Sequence, residues 1–269
     1  MTKACRFALL TVLCRLGTAH GVRAEDARAL LDQVKHLNET TRKWSDRTQH
    51  LQLTIVDRRA NQRQRELDIY MKKYPDDASR SLVFFQAPAE IKGTGLLQWT
   101  NAHKSDEQWL FLPELKRVRQ IGGGSKRESF VGTDFSYEDL AIVSQIVDWS
   151  DADAHAALVR EDTVDGAPAA VIEFTPAAKD IGYGLIRTWL RRSDSIMLKY
   201  EFVDRKGAVA KTLTLTDIRA VGAIPTAFHM LMDNLQNGSH TAVDFSTVTY
   251  DSGLADDVFT QHTLERGRL

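Results

Sequence analysis

"TAFHMLMDNLQNGSHTAVDFSTVTY", residues 226–250, decides the fold class. On either side of Asn237-Gly238 apolar and polar residues alternate with a period of two. That period places one side-chain set on each face of an extended strand. Asn-Gly between two alternating runs is the strongest short signal for a β-hairpin, because both residues tolerate the positive φ of a tight turn. Strands joined in this way are adjacent and antiparallel.

The same idiom runs outward in both directions. Upstream lie "HAALVRED" and "AAVIEFTP" around "VDGAP", then "GLIRTWLRR", "IMLKYEFVD" and "AVAKTLTLTDI". Further upstream, "HLQLTIV" alternates with Leu51, Leu53 and Ile55 on one face, and "ELDIYMK" with Leu67, Ile69 and Met71 on one face. "RSLVFFQ", "GLLQW" and "EQWLFL" are apolar on both faces, as expected where one face packs on the core and the other lies under a cover. The pattern predicts about ten or eleven strands in an antiparallel meander. A meander of that length has to coil, and it closes or half-closes into a barrel. Neither a βαβ rhythm nor a fixed repeat is present, which argues against a parallel sheet and a propeller. Ahead of the strands, residues 25–38 carry Ala27, Leu30, Leu31, Val34 and Leu37 on one helical stripe.

Residues 1–24, "MTKACRFALLTVLCRLGTAHGVRA", read as a secretory signal peptide: Lys3 and Arg6, an apolar stretch from Phe7, and small residues before Ala24. Neither Cys5 nor Cys14 lies in a lipoprotein box. Removing this segment takes away both cysteines, so the remaining chain has no disulfide or thiol nucleophile. It also removes Lys3, Arg6, Arg15 and Arg23, leaving 31 Lys and Arg against 36 Asp and Glu in residues 25–269. Such a domain is held by its apolar core, and it is large enough to bury one. The near-neutral charge of the whole chain, and the mildly acidic balance of residues 25–269, give no reason to expect nucleic acid, and no apolar run is long enough to predict stable insertion in a membrane.

Between the two runs of strands lies "SKRESFVGTDFSYEDL", residues 125–140. Ser136 with Asp139 three residues on is a capping-box pattern, which starts a helix near Tyr137. Leu140, Val143 and Val147 follow at helical spacing. This stretch is expected to be a lid over the concave side of the sheet, formed by Phe130, Gly132, Phe135, Tyr137 and Leu140, with Gly132 as a hinge.

Motifs that would carry catalysis are missing. The histidines show no metal-ligand spacing, "IGGGSKRES" lacks the ending of a phosphate loop, and there is no nucleophile elbow. Asp134, Glu138 and Asp139 cluster, as do Asp148, Asp151 and Asp153; capping and loop solvation account for both groups. The expectation is therefore no catalytic residue, no metal and no cofactor. The abundant signal is apolar surface turned inward, with Met among aromatics as in an adaptable pocket. Alternation places Leu53, Ile55, Leu67, Ile69, Met71, Trp109, Phe111, Met230 and Met232 on the lining of one apolar cavity. Lys116, Arg117, Arg119, Lys126 and Arg127 form either a solvated basic face or headgroup contacts at its mouth.

"WLFLPELKRVRQI" (109–121) followed by "SFVGTDFSYEDL" (129–140) resembles the bacterial outer-membrane lipoprotein-sorting proteins, relatives of the periplasmic carrier LolA. "GTGLLQW" (93–99), "VDGAPAAVIEFTP" (164–176) and "DDVFTQHTLERG" (256–267) follow the same family's order. The resemblance implies an α+β fold, a strongly curved, incompletely closed antiparallel barrel with helices covering its concave face. It also implies a soluble periplasmic carrier or chaperone for lipid, lipoprotein acyl chains or another amphiphile. Such a carrier would serve envelope transport to the outer membrane, with an RND-type membrane exporter as a partner. The alternative is a non-carrying accessory or scaffold subunit of such an exporter. LolA itself is shorter and lacks the "SFVGTDFSYEDL" block, so the family name does not fix the cargo.

Overall fold

The computed structural model describes residues 24–75, 78–101, 105–121 and 126–269. Residues 1–23 of the expected signal peptide lie outside that description, as do both cysteines.

The chain opens with helix α1 (Ala24–Glu39), whose stripe buries Ala27, Leu31 and Val34. Six strands follow: β1 (Asp46–Val56), β2 (Gln62–Lys73), β3 (Ser79–Ala87), β4 (Gly95–Thr100), β5 (Glu107–Leu112) and β6 (Arg117–Gln120). Helix α2 (Tyr137–Gln145) interrupts the strands. Seven more complete the sheet: β7 (Ala154–Val164), β8 (Ala167–Pro176), β9 (Tyr183–Arg191), β10 (Met197–Asp204), β11 (Val209–Val221), β12 (Ile224–Asn234) and β13 (Ser239–Tyr250). A 3-10 turn (Asp256–Phe259) and helix α3 (Gln261–Arg266) end the chain.

All thirteen strands form one antiparallel sheet, curved and open, in the order β6-β5-β4-β3-β2-β1-β13-β12-β11-β10-β9-β8-β7. The count exceeds the expected ten or eleven. One addition, β6, is a four-residue run, Arg-Val-Arg-Gln, too short to show alternation. Every neighbouring pair is consecutive in sequence except β1 with β13, which joins the two meanders in the middle of the sheet. The free edges are therefore β6 and β7, and the described residues 126–153 lie in sequence between them.

Turn chemistry sets the registers. Val164 pairs with Ala167 around Asp165-Gly166, both at positive φ (48° and 79°), as a two-residue primed hairpin requires. Across Asn237-Gly238 the hairpin forms as expected, but with a longer loop. Asn234 pairs with Ser239, Gly238 takes φ 73°, and its N–H donates to the Asn234 carbonyl at 2.9 Å.

Alternation splits the apolar side chains between the two faces of the sheet. The concave face carries Leu51, Leu53, Leu67, Val83, Phe85, Leu213, Met232 and Val243 in one cluster with α1, α2 and residues 130–146. The opposite face of β3–β5 carries Leu82, Phe84, Leu97, Trp109 and Phe111, covered by Phe259 and by Leu264 of α3. Gly95 permits this cover: a Cβ there would lie 2.6 Å from Leu264 Cδ1 and 2.8 Å from Phe84 Cε1.

Candidate functional site: the concave face and its cover

The cover is the stretch between the two sheet edges, and its local structure follows from its sequence. A short turn closes where the Phe130 N–H donates to the Phe135 carbonyl at 2.7 Å, with Val131 and Gly132 at positive φ (46° and 74°). Helix α2 then starts as its capping box dictates. Asp139 N–H donates to Ser136 Oγ at 3.1 Å, and Ser136 N–H donates to Asp139 Oδ2 at 2.7 Å. Phe130 packs against Phe85 and, edge-on, against Tyr137, with ring centroids 5.9 and 5.7 Å apart. Phe130, Phe135, Tyr137, Ile142 and Ile146 are buried in the main cluster. Of the expected helical face, Leu140 and Val143 are only half-buried, and Val147 lies beyond the helix.

Buried polar groups pin this cover to the sheet. Asp139 is 0% exposed and accepts hydrogen bonds from Tyr183 Oη on β9 and Lys211 Nζ on β11, each at 2.6 Å. Burial beside that carboxylate drives the Tyr183 phenol well above its ordinary pKa, so it stays a donor. Asp134 accepts from Ser239 Oγ and from Thr241 Oγ1 (2.7 Å), both on β13. Glu138 accepts from the Gly182 N–H at 3.0 Å, and burial raises its pKa against the opposing pull of that bond and Arg127. Capping explains part of Asp139, but Asp134 and Asp139 are not solvated loop carboxylates. They are anchors, and Lys211 and Tyr183 are their partners. The legible signal was Lys211 itself: it shares strand parity with the inward Leu213.

Seven of the nine expected lining residues lie on the concave side. Leu53, Leu67 and Met232 are buried in the main cluster, and Ile69 and Met230 pack against it half-buried. Ile55 is buried opposite Thr241 and Arg63, and Met71 is half-buried opposite Arg47. Trp109 and Phe111 are not with them. They pair with Leu97 and Gly95 and belong to the cluster on the other face, under α3. Strands β4 and β5 are apolar on both faces, so alternation shows which residues share a side but not which side is concave. Lys116, Arg117, Arg119, Lys126 and Arg127 are all exposed.

A cleft of about 280 Å³ opens between α2 and the β8–β9 loop, lined in part by Gln108, Tyr137, Glu138, Trp149 and Ile181. A second hollow, about 450 Å³, lies on the outer side of β9–β11 around Gly184, Arg187 and Arg205. Neither is lined by any of the nine residues. Over Leu53, Leu67 and Met232 the concave face is instead filled by the cover itself.

This architecture has known counterparts. A family model described only as an uncharacterized protein matches residues 77–266. The chain belongs to that family. Among solved structures, members of this fold include a domain from Vibrio parahaemolyticus described as that of a candidate outer membrane lipoprotein-sorting protein. It is 28% identical, with a TM-score of 0.81 over 91% of this chain and 100% of that one. A DUF1329 family protein from Desulfovibrio piger is 27% identical, with a TM-score of 0.82 over 91% and 100%. A LolA superfamily protein from Nitrosomonas europaea shares the fold at 17% identity, with a TM-score of 0.65 over 88% and 98%. No curated protein matches. The chain thus resembles a candidate outer membrane lipoprotein-sorting protein along nearly all of its length, and its fold is LolA-like. Among the described residues no helix is long and apolar enough to cross a membrane.

Proposed function

We propose that this protein is a periplasmic carrier or chaperone that shelters the apolar part of a lipid, an acylated protein or another amphiphile on its concave face, serving transport towards the outer membrane. In this reading residues 1–24 are the export signal and residues 25–269 form a single carrier domain. The observation that carries it is the sheet itself: an open, curved antiparallel sheet whose concave side is apolar and is covered by a segment running between its two free edges. Exchanging Phe130 and Phe135 for an acyl chain replaces one buried apolar surface with another. The hydrophobic cost of opening is then largely recovered at about 0.8 kcal/mol per buried CH₂. The role is binding, with no catalytic step. The accessory-subunit reading finds no support among the relatives described above, and an RND-type exporter stays a proposed partner.

The test is organic extraction of protein purified from a periplasmic fraction, followed by mass spectrometry. The expected result is a lipid or acylated species in near-stoichiometric amount, on a chain beginning at Glu25. A chain that carries nothing, and takes up no acyl probe after stripping, would reject the carrier role.

A further inference from the structure

Among the described residues, two side-chain nitrogens are buried without any hydrogen-bond partner: Arg47 Nε and Arg65 Nη1. Both are guanidinium groups, and both lie on the concave side. Arg47 shares strand parity with Gln49, Leu51 and Leu53, and it sits opposite Met71 on β2 and Tyr250 on β13. Its guanidinium lies 5.0 Å from the centre of the Trp44 ring, Nη2 donates to the Met71 sulfur at 3.7 Å, and the Tyr250 phenol is a further partner of the group, but none of these meets Nε. No carboxylate among the described residues pairs with it. A buried donor nitrogen left unmet on a cation is costly, and an apolar side chain of similar size would avoid that cost.

The surroundings supply the second observation. Around Arg47 the concave face is incompletely covered, although Gln49 and Val248 next to it are buried. Ile69 and Met71 beside it on β2, and Met230 and Phe245 towards β12 and β13, are half-buried, whereas Leu53 and Leu67 further along are sealed. From Arg47 to Leu53 is six residues of β1, about 20 Å at roughly 3.4 Å each. An apolar strip thus begins at a cation whose buried Nε has no acceptor.

We infer that Arg47 is the headgroup anchor of the carrier site, and that the cargo is an amphiphile with an oxyanion head, carboxylate or phosphate, whose chain lies along Met71 and Ile69. The inference rests on the carrier reading and names the class of ligand. A carboxylate or phosphate oxygen would accept from Nε in a charge-assisted bond, and the planar fork of arginine suits either head. Burial pulls the guanidinium pKa down, with the Tyr250 phenol acting the other way, and an anion at this position would relieve that strain.

Hexadecanoate, hexadecyl phosphate and hexadecanol, each titrated as a monomer into stripped protein, separate the possibilities. The wild type should bind at least one of the two anions tenfold or more tighter than the alcohol, about 1.4 kcal/mol. Which anion binds tighter distinguishes a fatty-acid from a phosphate head. In Arg47→Met that preference should fall to about one, with thermal stability equal or higher because a buried nitrogen without an acceptor has gone. Arg47→Lys should keep part of it. If the wild type binds all three alike, or if Arg47→Met keeps the preference, the inference is overturned while the carrier reading stands. If none of the three binds, both fall.

Discussion

The two ends of the concave face are built on opposite principles. At the end near the β1–β2 and β12–β13 turns, Leu53, Leu67, Leu213 and Met232 are sealed beneath Phe130, Phe135 and Tyr137. The cover is fastened there by Asp134 and by Asp139 with Lys211 and Tyr183. At the other end Ile69, Met71, Leu215, Met230 and Phe245 on the same strands are only half-buried, and Arg47 Nε lacks an acceptor. One sheet therefore presents a finished core and an unfinished one. Substitutions at the sealed end should register in stability, and those at the open end in binding.

The largest effect is expected at the fastening. Asp139→Ala leaves the Lys211 ammonium and the Tyr183 hydroxyl without their buried partner, and it should cost about 3–5 kcal/mol in urea unfolding. The double substitution Asp139→Asn with Lys211→Met removes both charges and should cost clearly less. An Asp139→Ala protein within about 0.5 kcal/mol of the wild type would mean that the anchor does not hold the cover. Next comes a matched pair on β2. Leu67→Ala should cost about 2–5 kcal/mol. Met71→Ala, four residues along the same strand but half-exposed, should cost roughly 1 kcal/mol or less and yet weaken uptake of an acyl probe. Equal stability losses at the two positions would erase the distinction between the ends.

The smallest expected effect is one of pH. Asp46, buried at the start of β1, accepts from the N–H groups of Ser252, Gly253 and Leu254 and from Ser252 Oγ. Burial raises its pKa, but these bonds outweigh that and hold it below its ordinary value. A carboxylate with a lowered folded-state pKa contributes stability above its unfolded pKa, about 3.9, and loses it as pH falls through the folded value. Acid should thus loosen the junction of β1 with the segment after β13, and Asp46→Asn should flatten the low-pH arm of a stability profile. An unchanged arm would assign it to other carboxylates.

Local features of this fold were legible in the sequence, and distant ones were not. The alternating runs gave the strands, Asp165-Gly166 gave a tight turn, and Ser136 with Asp139 gave the start of α2 to the residue, because each signal is complete within a few positions. The pairing of β1 with β13 joins residues some two hundred positions apart, and no local pattern announces it. The same limit misplaced Trp109 and Phe111, whose side of the sheet is set by where α3 docks. Arg47 and Lys211 were hidden for another reason. A charged residue in an alternating strand reads as solvent-facing, although both share parity with inward leucines, which was the available clue.

The most direct test of the concave-face account is covalent capture. An acyl chain carrying a photoreactive group along its tail is bound to stripped protein, irradiated, and located by peptide mass spectrometry. The account predicts labels on Ile69, Met71 and Met230, diminished by unlabelled hexadecanoate, and none on Trp109 or Trp189 on the outer face. Saturable labelling confined to the outer-face tryptophans, or no saturable labelling at all, would contradict it.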